Sequence, residues 1–260
     1  MGSRFGRHTR AGRAAVWAGL HSRAVRILVA AACLPVLVAG SPGPAAGGAL
    51  FLTRWPGTTA AAGTHFVALG DSLTAGYLNP GPAWPARLVS LRDDLTLVRN
   101  SGVSGDTTTN MLARIDRDVY AYSPSLVFIF GGLNDLAWCV PIDQIVANIK
   151  AMAAGAYGHG AGRVVLILNS HSIDNPRGPS CVPTVQANID ALDDALLAYG
   201  AAAGIQTIDL RPVLDTSGRY TPAYFLSDGV HYNSDGVDRV SAAIDAQLSA
   251  GFDRYLRGDR

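Results

Sequence analysis

The chain has 260 residues, 48% hydrophobic and 16% charged, with 21 basic against 20 acidic side chains and a formal charge of +1. That length supports one sizeable buried core and argues against two full domains. Six arginines (Arg4, Arg7, Arg10, Arg13, Arg23 and Arg26) precede the first apolar run and no acid occurs before Asp71, which leaves 15 basic against 20 acidic side chains in the remainder. A body with that balance offers no basic surface for nucleic acid or for an anionic membrane.

Residues 1–40 read as a secretory signal: a basic stretch, the apolar run from Ile27 to Gly40, then small residues. The run is shorter than the roughly 20 apolar residues that span a bilayer. The alternative is an uncleaved N-terminal anchor, which would be the chain's one contact with a membrane. Residues 41–63, rich in Gly, Pro, Ala and Thr, read as a flexible linker. Without the leader two cysteines remain, Cys139 and Cys181, and an even count in an exported protein favours a disulfide over two free thiols.

The first element of the body is the apolar run Phe66-Val67-Ala68-Leu69, which suits a strand covered on both faces. Gly70 permits a sharp bend where it stops, and Ser72 then sits on the first turn of a helix at the strand's carboxyl end. A helix restarts at Ala83-Trp84-Pro85, with proline in the permitted first turn. Leu95–Val98 is the second predicted strand, followed by a glycine-bearing loop from Asn100 to Thr107 and a helix holding Met111, Leu112 and Ile115. Ser125–Phe130 is the third strand, broken by Gly131-Gly132, after which a loop delivers Asn134 and Asp135.

Pro141 opens a helix with Ile142, Ile145, Ile149 and Met152 at helical spacing. Strand four is Val164–Leu168, followed by a long irregular loop from Asn169 to Pro183 and a helix marked by Val185, Ile189, Leu192 and Leu196. Ile205–Leu210 is the fifth strand, and Asp228-Gly229-Val230-His231 precedes a last helix marked by Val237, Val240, Ile244 and Leu248. Strands alternating with helices argue for a parallel sheet wrapped on both faces by right-handed crossovers, a three-layer α/β/α sandwich. No glycine-rich phosphate loop with a following lysine is present, so nucleotide binding has no support.

Four strand-end loops carry polar residues at what this topology makes one rim of the sheet: Ser72, Gly105, Asn134, and Asp228 with His231. A serine hydroxyl becomes a nucleophile when a base takes its proton, and histidine is the side chain suited to that near neutral pH. Asp228, three residues before His231, can orient the imidazole locally. Attack on an ester carbonyl creates an oxyanion, for which the amides of Ser72 and Gly105 and the side chain of Asn134 would be donors.

These blocks, Gly70-Asp71-Ser72-Leu73, Ser104-Gly105-Asp106-Thr107, Gly132-Leu133-Asn134-Asp135 and Asp228-Gly229-Val230-His231, resemble the four blocks of the SGNH hydrolases, also called GDSL esterases and lipases. The wording Leu69-Gly70-Asp71-Ser72-Leu73-Thr74-Ala75-Gly76-Tyr77 with Ala83-Trp84-Pro85 is similar to the bacterial lysophospholipase, thioesterase and arylesterase branch. The resemblance implies a hydrolase domain over 64–260 with a flavodoxin-like five-stranded sheet and no metal or cofactor. It further implies Ser72 as nucleophile, His231 as base, Asp228 as its partner, and Ser72, Gly105 and Asn134 as oxyanion donors. Gly102 is the alternative to Gly105, and spacing does not choose between them. Leu133 departs from the many members with a small or polar residue there, which bears on the acyl pocket.

The expected activity is hydrolysis of carboxylic esters, including thioesters or lysophospholipids, through an acyl-enzyme. Acyl transfer to an alcohol or sugar, or a non-catalytic surface domain, are the rivals. The expected partner is a small-molecule or lipid ester, with no obligate protein partner. Tyr77, Trp84, Trp138 and His171 are the candidate pocket residues, and a Cys139–Cys181 bridge would tie two rim loops together. Asp135 reads as a structural acceptor.

Overall fold

In the computed structural model, residues 63–172, 181, 183–216 and 220–257 are described; the predicted leader, and the linker up to residue 62, lie outside them. Strand β1 (Thr64–Gly70) contains the apolar run, and Phe66 through Leu69 are fully buried. It pairs in parallel on both sides, with β2 (Leu95–Gly102) and β3 (Leu126–Phe130); its last residue, Gly70, stands opposite Gly102 and Phe130. Strands β4 (Arg163–Ile167) and β5 (Gln206–Ile208) extend the parallel sheet to the order β2-β1-β3-β4-β5. That is the flavodoxin-like order, with its switch point between β1 and β3, where ligands gather beyond the strands' carboxyl ends.

Eight α-helices are described: α1 (Ser72–Ala75), α2 (Trp84–Val89), α3 (Thr108–Asp118), α4 (Leu133–Ala137), α5 (Ile142–Gly158), α6 (Val185–Ala203), α7 (Arg211–Leu214) and α8 (Ser234–Arg257). The crossover from β1 to β2 runs opposite to the three that follow, so right-handed connections put α2 on one face and α3, α5 and α6 on the other. Packing agrees: α2 lies on α8, while α3 packs on α5 and α5 on α6. None of the described helices is long and apolar enough to cross a membrane.

Three boundaries differ from the sequence reading. Strand β2 runs through Gly102 instead of stopping at Val98, because its polar residues find internal partners: Asn100 Nδ2 donates to the Thr74 carbonyl (2.8 Å) and Ser101 Oγ to the Asp118 carbonyl (2.7 Å). Strand β5 is shorter than predicted, since Asp209 turns its Oδ1 back to cap the Arg211 amide at 2.9 Å. The predicted loop after β3 contains the short helix α4, which carries Asn134 on its first turn.

Trp84, expected as a pocket residue, is a core residue. It is fully buried, its indole N–H reaches Thr74 Oγ1 (3.4 Å), and its ring meets Phe128 edge-on at 5.4 Å. Leu133, the first residue of α4, is likewise buried in the core.

Candidate active site

Helix α1 starts where β1 ends. Asp71 caps it, its Oδ1 accepting the Leu73 amide at 2.9 Å, and Ser72 occupies the first helical position with its own amide unpaired among the described residues. The helix can sit this low because Gly102 lies beneath it. A Cβ at Gly102 would run into the Ala75 amide, so only glycine allows the backbone bearing Ser72 to rest on β2.

His231 reaches Ser72 from the opposite end of the chain. Its loop is closed by an antiparallel bridge between Phe225 and Tyr232, and the Leu226 amide donates to the His231 carbonyl at 2.7 Å. Asp228 Oδ1 accepts the amides of Val230 and His231, each at 3.0 Å, which turns Oδ2 toward the imidazole. The relay follows: Asp228 Oδ2 to His231 Nδ1 is 2.7 Å, and His231 Nε2 to Ser72 Oγ is 2.9 Å. Partial burial would raise the Asp228 pKa, but the ring and amide bonds from His231 and Val230 outweigh it and hold the carboxyl below its ordinary value. An ionised carboxylate only accepts, so Nδ1 carries the proton and Nε2 is free to accept the Ser72 hydroxyl proton. Tyr77 lies tilted against the imidazole, ring centroids 4.8 Å apart and planes at 55°.

The opposite side of Ser72 is built from β2 and β3. Gly105 has φ of +84°, a conformation open to glycine, and its amide donates to no acceptor among the described residues. Gly102, the alternative donor, has its amide taken by Asn100 Oδ1 at 2.9 Å. Asn134 Nδ2 donates to the Asp106 carbonyl (2.9 Å) and comes within 3.5 Å of Asp71 Oδ2. The amide thus bridges the neighbours of Ser72 and Gly105, with one strong bond and one hydrogen only weakly engaged. Asp135 is fully buried and accepts both the amide (2.8 Å) and the hydroxyl (2.7 Å) of Thr108, a structural acceptor as expected; burial raises its pKa.

Burial also raises Asp71, which is pushed up to about 7, with Asp135 and Asp106 adding like charge and the Leu73 amide opposing. A residue that sequence reasoning missed, Arg114, fastens the loop that bears Gly105. It donates to Asp106 (2.6 Å), Asp118 (3.1 Å) and the carbonyls of Ser101 and Gly70 (both 2.9 Å). The only trace in the sequence is the Arg114 to Asp118 spacing of one helical turn.

The other expected pocket residues divide. Tyr77 lines the cavity over Ser72 together with Asn79, His231, Tyr232 and Val237. Trp138 is 61% exposed on the turn leaving α4 and does not line this cavity. His171 is turned toward two carboxylates, its Nδ1 2.7 Å from Asp215 and its Nε2 3.1 Å from Asp190, and does not line that cavity. The disulfide joins Cys139 to Cys181, across a separation of 42 residues. Among the described residues no three His, Cys, Asp or Glu side chains are grouped to hold a metal ion.

Residues 68–239 match the family model described as GDSL-like lipase/acylhydrolase. The chain is 36% identical over 110 residues to an arylesterase of Vibrio mimicus, and 40% identical over 113 residues to the thioesterase 1/protease 1/lysophospholipase L1 of Escherichia coli (strain K12). Each alignment covers 40% of this chain, which spans about half (54%) of the length of these curated relatives. Among solved structures, the lipase/acylhydrolase from Enterococcus faecalis superposes with a TM-score of 0.61 at 25% identity, covering 72% of this chain and 95% of that one.

Proposed function

As the chain belongs to the GDSL-like lipase/acylhydrolase family, we propose that it is a serine-dependent carboxylic ester hydrolase working through an acyl-enzyme. The observation that carries this reading is the unbroken relay from Asp228 through His231 to the Ser72 hydroxyl, at 2.7 and 2.9 Å. Ser72 Oγ attacks the ester carbonyl carbon while its proton passes to His231 Nε2. The oxyanion is met by the Ser72 and Gly105 amides and by Asn134 Nδ2, donors fixed before the charge develops. Collapse breaks the bond to the alcohol oxygen, which leaves with the proton from His231. Water then attacks the acyl carbon, its proton taken by the same nitrogen, and Ser72 is freed with release of the acid.

Export belongs to the same reading and is supported by the basic and apolar N-terminal sequence and by the paired cysteines. The test is a series of p-nitrophenyl esters of increasing acyl length. Wild-type protein is expected to release nitrophenol and the Ser72→Ala variant to fall to background, whereas equal rates for the two would refute the assignment.

A further inference from the structure

The proton that His231 accepts must be delivered to the departing alcohol oxygen, so the leaving group lies on the histidine side of Ser72, away from Gly105 and Asn134. On that side the cavity over Ser72 and His231 shares Asn79 and Val237 with a larger cleft of about 230 Å³, whose walls also include Gly81, Arg87, Ser234 and Asp238. We propose that this cleft is the subsite for the alcohol half of the ester, and that it takes a neutral, hydroxyl-bearing alcohol such as glycerol or a single sugar unit. The proposal rests on the hydrolase reading above and narrows its substrate.

The lining supplies hydrogen-bonding groups without net charge. Asn79 Oδ1 accepts the Gly81 amide at 2.8 Å, which fixes the side chain, while its Nδ2 is enclosed and has no acceptor among the described residues. A buried donor without a partner is costly, and a small turn of the Asn79 amide toward the cleft would let a ligand hydroxyl oxygen satisfy it. Arg87 Nε pairs with Asp238 Oδ1 at 2.7 Å, so the guanidinium is neutralised while its other N–H groups and Asp238 Oδ2 remain as donors and acceptor. Ser234 adds a hydroxyl. A phosphate-bearing alcohol would meet a cation already paired with a carboxylate. A long alkyl alcohol would strand Asn79 and the ion pair without water.

Three acetyl esters with one acyl group separate the possibilities: 1-acetylglycerol, 1-acetylglycerol 3-phosphate and p-nitrophenyl acetate. Wild-type protein is expected to favour acetylglycerol over its phosphate at least tenfold in kcat/KM. Asn79→Asp keeps the acceptor for Gly81 and removes the donor. It is expected to lower kcat/KM for acetylglycerol about three- to tenfold relative to p-nitrophenyl acetate, the loss of one hydrogen bond. Asp238→Asn, in a half-exposed pair, releases Arg87 and is expected to shift the ratio toward the phosphate. The subsite is overturned if wild-type protein cleaves p-nitrophenyl acetate yet prefers the phosphate, or if both variants leave the three rates in their wild-type ratios. Absence of any nitrophenol release would instead remove the hydrolase reading, and the subsite with it.

Discussion

Replacing Asn134 by alanine separates what a side chain does for the fold from what it does for the reaction. Structurally it holds one bond of ordinary length, Nδ2 to the Asp106 carbonyl at 2.9 Å, and a marginal one to Asp71 at 3.5 Å. Loss of one such bond costs about 0.5–1.5 kcal/mol, equivalent to a fall of roughly 1–6 °C in melting temperature for a domain of this size, so the variant stays folded at 25 °C. In the proposed reaction the same amide would face an oxyanion that exists only after attack. Removing such a donor costs about 2.7–4 kcal/mol, or 10²- to 10³-fold in turnover. A bond formed only in the transition state lowers kcat and kcat/KM together. Steady-state hydrolysis of p-nitrophenyl acetate and a thermal melt on the same sample give both numbers. Turnover within threefold of wild type, or a raised KM with kcat intact, would refute the role given to Asn134.

Three further outcomes are expected. Asp228→Asn removes the acceptor that sets the His231 tautomer and should lower turnover by about 10⁴-fold, the cost of this change in a Ser-His-Asp triad, while the protein stays folded; turnover near wild type would show that the imidazole is oriented by something else. Cys139→Ser with Cys181→Ser opens a loop of 42 residues, worth about 4 kcal/mol in chain entropy and roughly 8–16 °C in melting temperature. Equal melts of wild type with and without reductant would dismiss that contribution. Asp71, pushed up to about 7 by burial, contributes stability that is complete below the unfolded-state value of 3.8 and is lost as pH rises through 7. Asp71→Asn keeps an oxygen for the Leu73 amide and carries no charge, so its advantage over wild type in urea midpoint should grow from pH 4.5 to 7.5; parallel curves would contradict the buried charge.

The parts of this structure that were readable from sequence are those written locally. Phe66–Leu69 and Leu126–Phe130 are apolar throughout because both faces of a central parallel strand are covered, and that pattern needs no knowledge of the partner strand. Ser72, Asn134 and the Asp228–His231 turn stand directly after strands or before a helix, so the topology itself carries them to one rim. What stayed hidden depends on contacts between distant segments. Asn100 and Ser101 looked like loop residues because the carbonyls that satisfy them belong to Thr74 and Asp118. Trp84 reads equally well as groove or core until Phe128 is found against its ring. Arg114 carries no motif, since its acceptors are spread over β1, β2 and its own helix. Two left-handed residues, Leu78 (φ 58°) and Cys139 (φ 59°), were equally unreadable, since neither is a type that favours that conformation.

The most direct test of the account is covalent labelling with a fluorophosphonate, followed by peptide mass spectrometry. Phosphonylation needs a serine oxygen relieved of its proton and an oxyanion site to receive the charge. One adduct on Ser72 is expected in the wild-type protein, with labelling slowed by orders of magnitude in His231→Ala. An adduct on another serine, or ester hydrolysis continuing at full rate in Ser72→Ala, would contradict the claim that the relay of Asp228, His231 and Ser72 performs the chemistry.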